Sequence, residues 1–133
     1  MEAPLARSQV TRRGALALFA MILAFVAGAQ IVQAHHGWRW TKDGKFEITG
    51  IVADAKLGNP HGVLKLNVEG AIWTIEVGQP WRNARAGLKD EMLAKGKEVT
   101  IIGRRSSKES ERVVKALRVR IKGKNYDLYP EML

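Results

Sequence analysis

Lys45-Phe46-Glu47-Ile48-Thr49-Gly50-Ile51-Val52-Ala53 is the stretch that decides the fold. Phe46, Ile48, Gly50 and Val52 alternate with Glu47, Thr49, Ile51 and Ala53, the two-residue period of a strand with one better-buried face. Gly50 inside the run predicts a bend or bulge, as a tightly curved sheet requires. Residues 57–62, Leu-Gly-Asn-Pro-His-Gly, are turn chemistry without a regular period. A second strand follows over residues 63–68, a tight hairpin at Glu69-Gly70, and a third strand over residues 72–77. In the third strand Trp73, Ile75 and Val77 face the core, and Thr74 and Glu76 face away. Residues 80–95 change pattern. Leu88, Met92 and Leu93 have helical spacing, Gly96 ends the segment as a cap, and Gly87 splits it into an irregular piece and a short helix over residues 89–94. Strands return at 97–104 and 113–121, the latter with Leu117, Val119 and Ile121 inward, and residues 126–129 add a short edge strand.

Three strands, a helix and two strands form the element order of a five-stranded OB barrel. The expected class is therefore all-β with one short helix, a small OB-like barrel. Gly50, Gly70 and Gly103 are candidates for its curvature. An open antiparallel sheet with one helix packed on it has the same element order.

The N-terminal part reads as an export signal. Arg7, Arg12 and Arg13 precede an apolar and small-residue run over 14–29, and Val32-Gln33-Ala34 supplies a cleavage pattern before His35. Ala27-Gly28-Ala29 supplies another, before Gln30. The expected organisation is a signal peptide over 1–34, or over 1–29, and a single domain over 35–133. The apolar run is shorter than the ~20 residues of a comfortable membrane span, so membrane attachment is expected only through an uncleaved signal. The arginine pair loosely matches a twin-arginine signal, and the general or twin-arginine route stays open. The expected location is the Gram-negative periplasm.

The chain has 22 Lys and Arg against 13 Asp and Glu, a net charge of +9 at pH 7, and no cysteine. An exported domain without disulfides relies on its core alone, and thiolate metal sites and thiol catalysis are excluded. The basic balance suits an anionic envelope surface, an anionic polymer or an acidic periplasmic protein. The compartment argues against nucleic acid.

All three histidines lie in two places, His35-His36 and His61. A cut after Ala34 would expose the amine of His35 beside two imidazoles, a nitrogen-rich donor set suited to copper. His61 leaves a turn stiffened by Pro60 and bracketed by Gly58 and Gly62. His35, His36 and His61 are accordingly the candidate metal ligands, with copper the candidate ion and no other cofactor indicated. Trp38, Trp40, Asn59, Trp81 and Arg82 are the candidate ligand-binding residues, because Trp and Arg together can cradle an anionic or flat ligand. The chain carries no Gly-rich phosphate loop, no Gly-x-Ser-x-Gly and no helical His-x-x-x-His pair, and no catalytic residue stands out.

His35-His36-Gly37-Trp38, the 57–62 motif, Trp73, Pro80, Arg85-Ala86-Gly87-Leu88 and Asn125-Tyr126-Asp127-Leu128-Tyr129-Pro130 together resemble a family of small exported proteins of Gram-negative bacteria, domain of unknown function 6152. The resemblance implies an exported single domain and adds no mechanism. The leading expectation is a non-enzymatic periplasmic binding protein that holds copper for metal handling. The alternatives are a metal-free OB module that binds an anionic polymer or partner protein, and a copper enzyme with a histidine brace.

Overall fold

The computed structural model describes residues 37–133. The signal peptide, both cleavage patterns, His35 and His36 lie outside the described residues. Within them the strands are β1 (Phe46–Lys56), β2 (Val63–Val68), β3 (Ala71–Glu76), β4 (Glu98–Arg105), β5 (Val113–Ile121) and β6 (Lys124–Asp127), with one α-helix, α1 (Pro80–Arg85), between β3 and β4. The sheet runs β3-β2-β1-β4-β5-β6, and β3 also pairs with β5. That last pairing is parallel and closes the first five strands into the expected barrel, with β6 as an extra edge strand.

Closure depends on β1. Its first half, Phe46 to Ile51, ladders with β4, and its second half, Ile51 to Lys56, with β2. A register shift between Val52 and Asp54 marks the handover, where one extra residue bends the strand. Two glycines let the strands approach closely enough to curve. A Cβ on Gly50 would run into the Asn67 carbonyl and the side chains of Val68 and Leu66. A Cβ on Gly103 would run into the Lys115 carbonyl and the Cα of Ala116. Gly70 forms the expected hairpin: with φ 84° beside Glu69 at φ 50° it makes the two-residue β2–β3 turn, whose twist matches the flanking strands.

The interior is filled by Val52, Leu64, Leu66, Ile75, Val99, Ile101, Val114 and Val119, with Val77, Leu88, Leu93 and Leu128 completing the cluster. Each such side chain contributes ~1.5–3 kcal/mol of hydrophobic stabilisation. Both Ala116 and Leu117 are fully buried, since β5 shifts register against β4 between Ile102 and Gly103. The helix lies earlier than expected. Pro80 at the first turn begins α1, where its fixed φ suits a helix and its missing N–H is not needed. Gly87 at φ 79° ends this segment, and residues 90–93, expected to be helical, form only a 3-10 turn. Leu88 and Leu93 still reach the core.

At the β5–β6 hairpin, Arg118 Nε and Nη2 donate to the two carboxylate oxygens of Asp127. The hydrogen bond from Arg118, and then its charge, hold the Asp127 carboxyl below the usual aspartate range. A folded-state value below the unfolded one contributes stability above the ordinary aspartate pKa, which is lost as pH falls through the depressed value.

Two stability predictions follow from this architecture. Gly103→Ala must push β4 from β5 and should cost about 1–3 kcal/mol, read as a fall in Tm of several degrees by calorimetry. Asp127→Asn should lower stability at pH 7 by at most about 1 kcal/mol for so exposed a pair, read as a small fall in Tm, and the gap from the parent should close as the buffer is taken below the aspartate range.

Candidate functional site

The loop over residues 57–62 leaves β1 and packs onto the end of β3. Gly62 N–H donates to the Gly78 carbonyl at 3.2 Å, and Val77 N–H donates to the Gly62 carbonyl at 2.9 Å. A Cβ on Gly62 would meet Val77 Cγ2 at 2.7 Å and Leu57 Cδ2 at 2.9 Å, so the close approach needs glycine. Gly58 has φ 146°, and the Asn59–Pro60 peptide is cis. The loop holds His61 so that its Nε2 is 3.7 Å from Glu76 Oε2. This exceeds the 2.7–3.2 Å of a hydrogen bond.

Glu76 departs from the expected strand alternation. It was placed on the outward face with Thr74, yet its side chain is 7% exposed and Oε2 has no hydrogen-bond partner. The cause is barrel closure: Glu76 pairs in register with Lys115 of β5, and the His61 loop lies against it. Burial pushes the Glu76 carboxyl above the usual range, and Lys115 opposes that rise. Burial likewise pulls the Lys115 ammonium down, opposed by Glu76 and reinforced by Arg82. Lys115 Nζ donates to the Gly37 carbonyl at 2.9 Å and lies 4.6 Å from the centre of the Trp38 ring.

From Trp38 a run of rings and cations continues. Trp38 meets Tyr129 edge to face at 4.9 Å. The Arg82 guanidinium lies 4.1 Å from the Tyr129 ring centre and 4.6 Å from that of Trp81. Arg85 is 5.3 Å from Trp81, and Arg104 is 5.8 Å from Trp38. Arg82 is oriented by donating from Nη1 to the Leu128 carbonyl at 3.0 Å, and Glu131 lies 3.7 Å from the same nitrogen. Trp81 is 53% exposed, and its indole N–H donates to Gln79 Oε1 at 3.0 Å. Burial raises the Tyr129 hydroxyl above its ordinary value, with Arg82 pulling the other way.

Of the residues singled out from sequence, Trp38, Trp81 and Arg82 therefore belong to one connected set. Contacts through Lys115 and Glu76 join His61 to it. Asn59 is exposed and lines, with Pro60 and His61, a 300 Å³ depression over the loop. Trp40 is anchored elsewhere: its carbonyl accepts from the N–H and hydroxyl of Ser107, at 2.9 and 3.0 Å. Among the described residues no three His, Cys, Asp or Glu side chains gather as a metal group. Sequence reasoning missed Glu76, Lys115 and Tyr129 as members of the set. Tyr129 stood within a quoted motif, but nothing local tied it to Trp38 or Arg82.

Three solved structures align with part of this chain. The S. pombe Stn1-ten1 complex aligns at 17% identity and TM-score 0.46, covering 57% of this chain and 56% of that one. TiaS in its complex with tRNA and ATP aligns at 14% identity and TM-score 0.44, covering 58% and 18%. The ZRD-deleted mutant of TiaS in complex with agmatine aligns at 12% identity and TM-score 0.46, covering 63% and 26%. The chain thus spans less than two thirds of each of these relatives. No curated protein matches the sequence. The histidine pair, the 57–62 loop and Glu76 all fall within residues 23–114, which match the model of DUF6152, a family of unknown function, and the protein belongs to that family.

Proposed function

We propose that this chain is a small exported binding module that takes an anionic polymer, or the acidic surface of a partner protein, along its run of aromatic rings and cations. The observation that carries the reading is the continuous run of contacts through Arg85, Trp81, Arg82, Tyr129, Trp38 and Lys115, with Arg104 beside it. Each cation–π contact is worth ~0.5–1 kcal/mol at an exposed site and holds a long side chain in place before a ligand arrives. Pre-organised guanidinium groups keep N–H donors for oxyanions, which favour planar, bidentate partners. The chain's net charge of +9, of which three arginines and one glutamate in residues 1–34 contribute +2, leaves the exported domain basic and adds long-range attraction for the same class of ligand. The periplasm is the proposed location, with anionic envelope material as the partner class and no role for nucleic acid.

A second reading assigns His35, His36 and His61 to a copper ion for metal handling. It is favoured by one observation, the His61 imidazole held beside a buried carboxylate oxygen that has no hydrogen bond.

Heparin serves as a polyanion probe of the first reading. Trp81→Ala and Arg82→Gln should each weaken binding about threefold to tenfold by titration calorimetry, as loss of ~0.5–1.5 kcal/mol requires. Arg85→Gln should also reduce the salt dependence by about one ion, by analogy with other polyelectrolytes. Arg120→Gln, which removes an arginine paired with Glu47, should bind as the parent does. Equal losses for all the arginine variants would mean that net charge alone attracts the polymer, and would overturn the assignment.

A further inference from the structure

We propose that Glu76 and His61 together form the protein's half of a site for a borderline divalent cation of the copper or zinc type. Glu76 would supply an oxygen ligand and His61 a nitrogen. This deepens the second reading above and rests on it, since it requires that His61 bind metal.

The argument begins with a cost. A carboxylate withdrawn from water and left without a hydrogen bond is unfavourable by several kcal/mol unless something compensates it. Glu76 is 93% buried by side chain, being 7% exposed, and Oε2 is orphaned. Lys115 is its register partner across β3–β5, but the Lys115 Nζ hydrogen bond goes to Gly37. The group nearest Oε2 by a recorded ion pair is His61, at a distance too long for a hydrogen bond.

That distance fits a shared metal better. Metal–nitrogen and metal–oxygen bonds of ~2.0–2.2 Å place two ligand atoms about 2.8–3.6 Å apart at square-planar or tetrahedral angles. Closing 3.7 Å to that range asks for a few tenths of an ångström from a loop side chain. His61 is 23% exposed and lines the 300 Å³ depression between Lys56 and Val63. Solvent thus reaches the site from the His61 side, while Glu76 lies behind the imidazole and does not line the depression. An imidazole with a carboxylate selects borderline ions over calcium or magnesium, which prefer all-oxygen sets. The like charge of Lys115 and, further off, of Arg82 opposes the cation, and this gives the proposal its sharpest consequence: removing the Lys115 charge should tighten the metal, whereas it should only disturb a purely structural Glu76.

The test uses full-length protein titrated with Cu(II) and Co(II), followed by electron paramagnetic resonance and visible absorption. A His35→Ala/His36→Ala double variant isolates the half-site. It should still bind one metal ion, and adding Glu76→Gln or His61→Ala should each weaken that binding by at least about tenfold, a loss that even outer-sphere changes can produce. Lys115→Met in the same background should bind more tightly. Glu76→Gln keeps the shape of the side chain, and the Tm of each metal-free variant, measured beside its affinity, separates ligand loss from unfolding. If the double variant binds and Glu76→Gln leaves its affinity and spectrum unchanged, Glu76 is not a ligand and the two-residue half-site is overturned. If the parent binds and the double variant does not, the metal belongs to His35 and His36 alone and the half-site is overturned. If the parent itself binds neither ion, the metal reading fails and takes this proposal with it.

Discussion

Three residue pairs hold the barrel shut: Thr74 with Val113, Ile75 with Val114, and Glu76 with Lys115. The seam is parallel, joins strands far apart in the chain, and converts a sheet with two open edges into a closed core. The middle pair, Ile75 and Val114, is fully buried and belongs to the hydrophobic cluster. The outer pair places opposite charges side by side at the end of the seam. Closure and the chemistry of the site therefore have one cause. A strand that must bury its inner face at Ile75 and Val77 carries Glu76 between them, and the 57–62 loop lies against that carboxylate.

The arrangement spends stability. Burial shifts Glu76 and Lys115 toward their neutral forms, and each is held charged chiefly by the other. A tightly packed apolar pair at the same positions would be expected to be as stable or more so. Ionisable groups withdrawn from water beside a charge partner are a feature that functional sites share with structural ion pairs. Here Lys115 lies over the Trp38 ring, and the contacts of Trp38 with Tyr129 and of Tyr129 with Arg82 stiffen the surface beside the pair.

Much of this was readable along the chain. Period-two alternation identified β1, β2 and β5, and Gly50 and Gly103 were rightly suspected of admitting curvature, because a close approach leaves no room for a side chain. Glu69-Gly70 announced its hairpin through backbone preference alone. Leu88, Met92 and Leu93 have helical spacing, yet Leu88 precedes the 3-10 turn that carries Met92 and Leu93 to the core, while the short helix at Pro80 lacks an apolar stripe. Glu76 was placed outside because alternation describes one strand and not what another strand or a loop will cover. The contacts of Tyr129 with Trp38 and Arg82 span nearly the whole domain, and no local pattern encodes them. Trp73, expected in the core, packs against it only part-buried, stacked on Phe46 at 5.4 Å.

The four tryptophans provide a direct measurement, because each indole N–H gives its own signal in a nitrogen–proton correlation spectrum. Titration of the labelled protein with a short heparin oligosaccharide should shift the Trp38 and Trp81 signals together and leave that of Trp73 unmoved. Movement of Trp73 equal to theirs, or no movement of Trp38 and Trp81 at saturation, would contradict the assignment of ligand binding to the aromatic and cationic run.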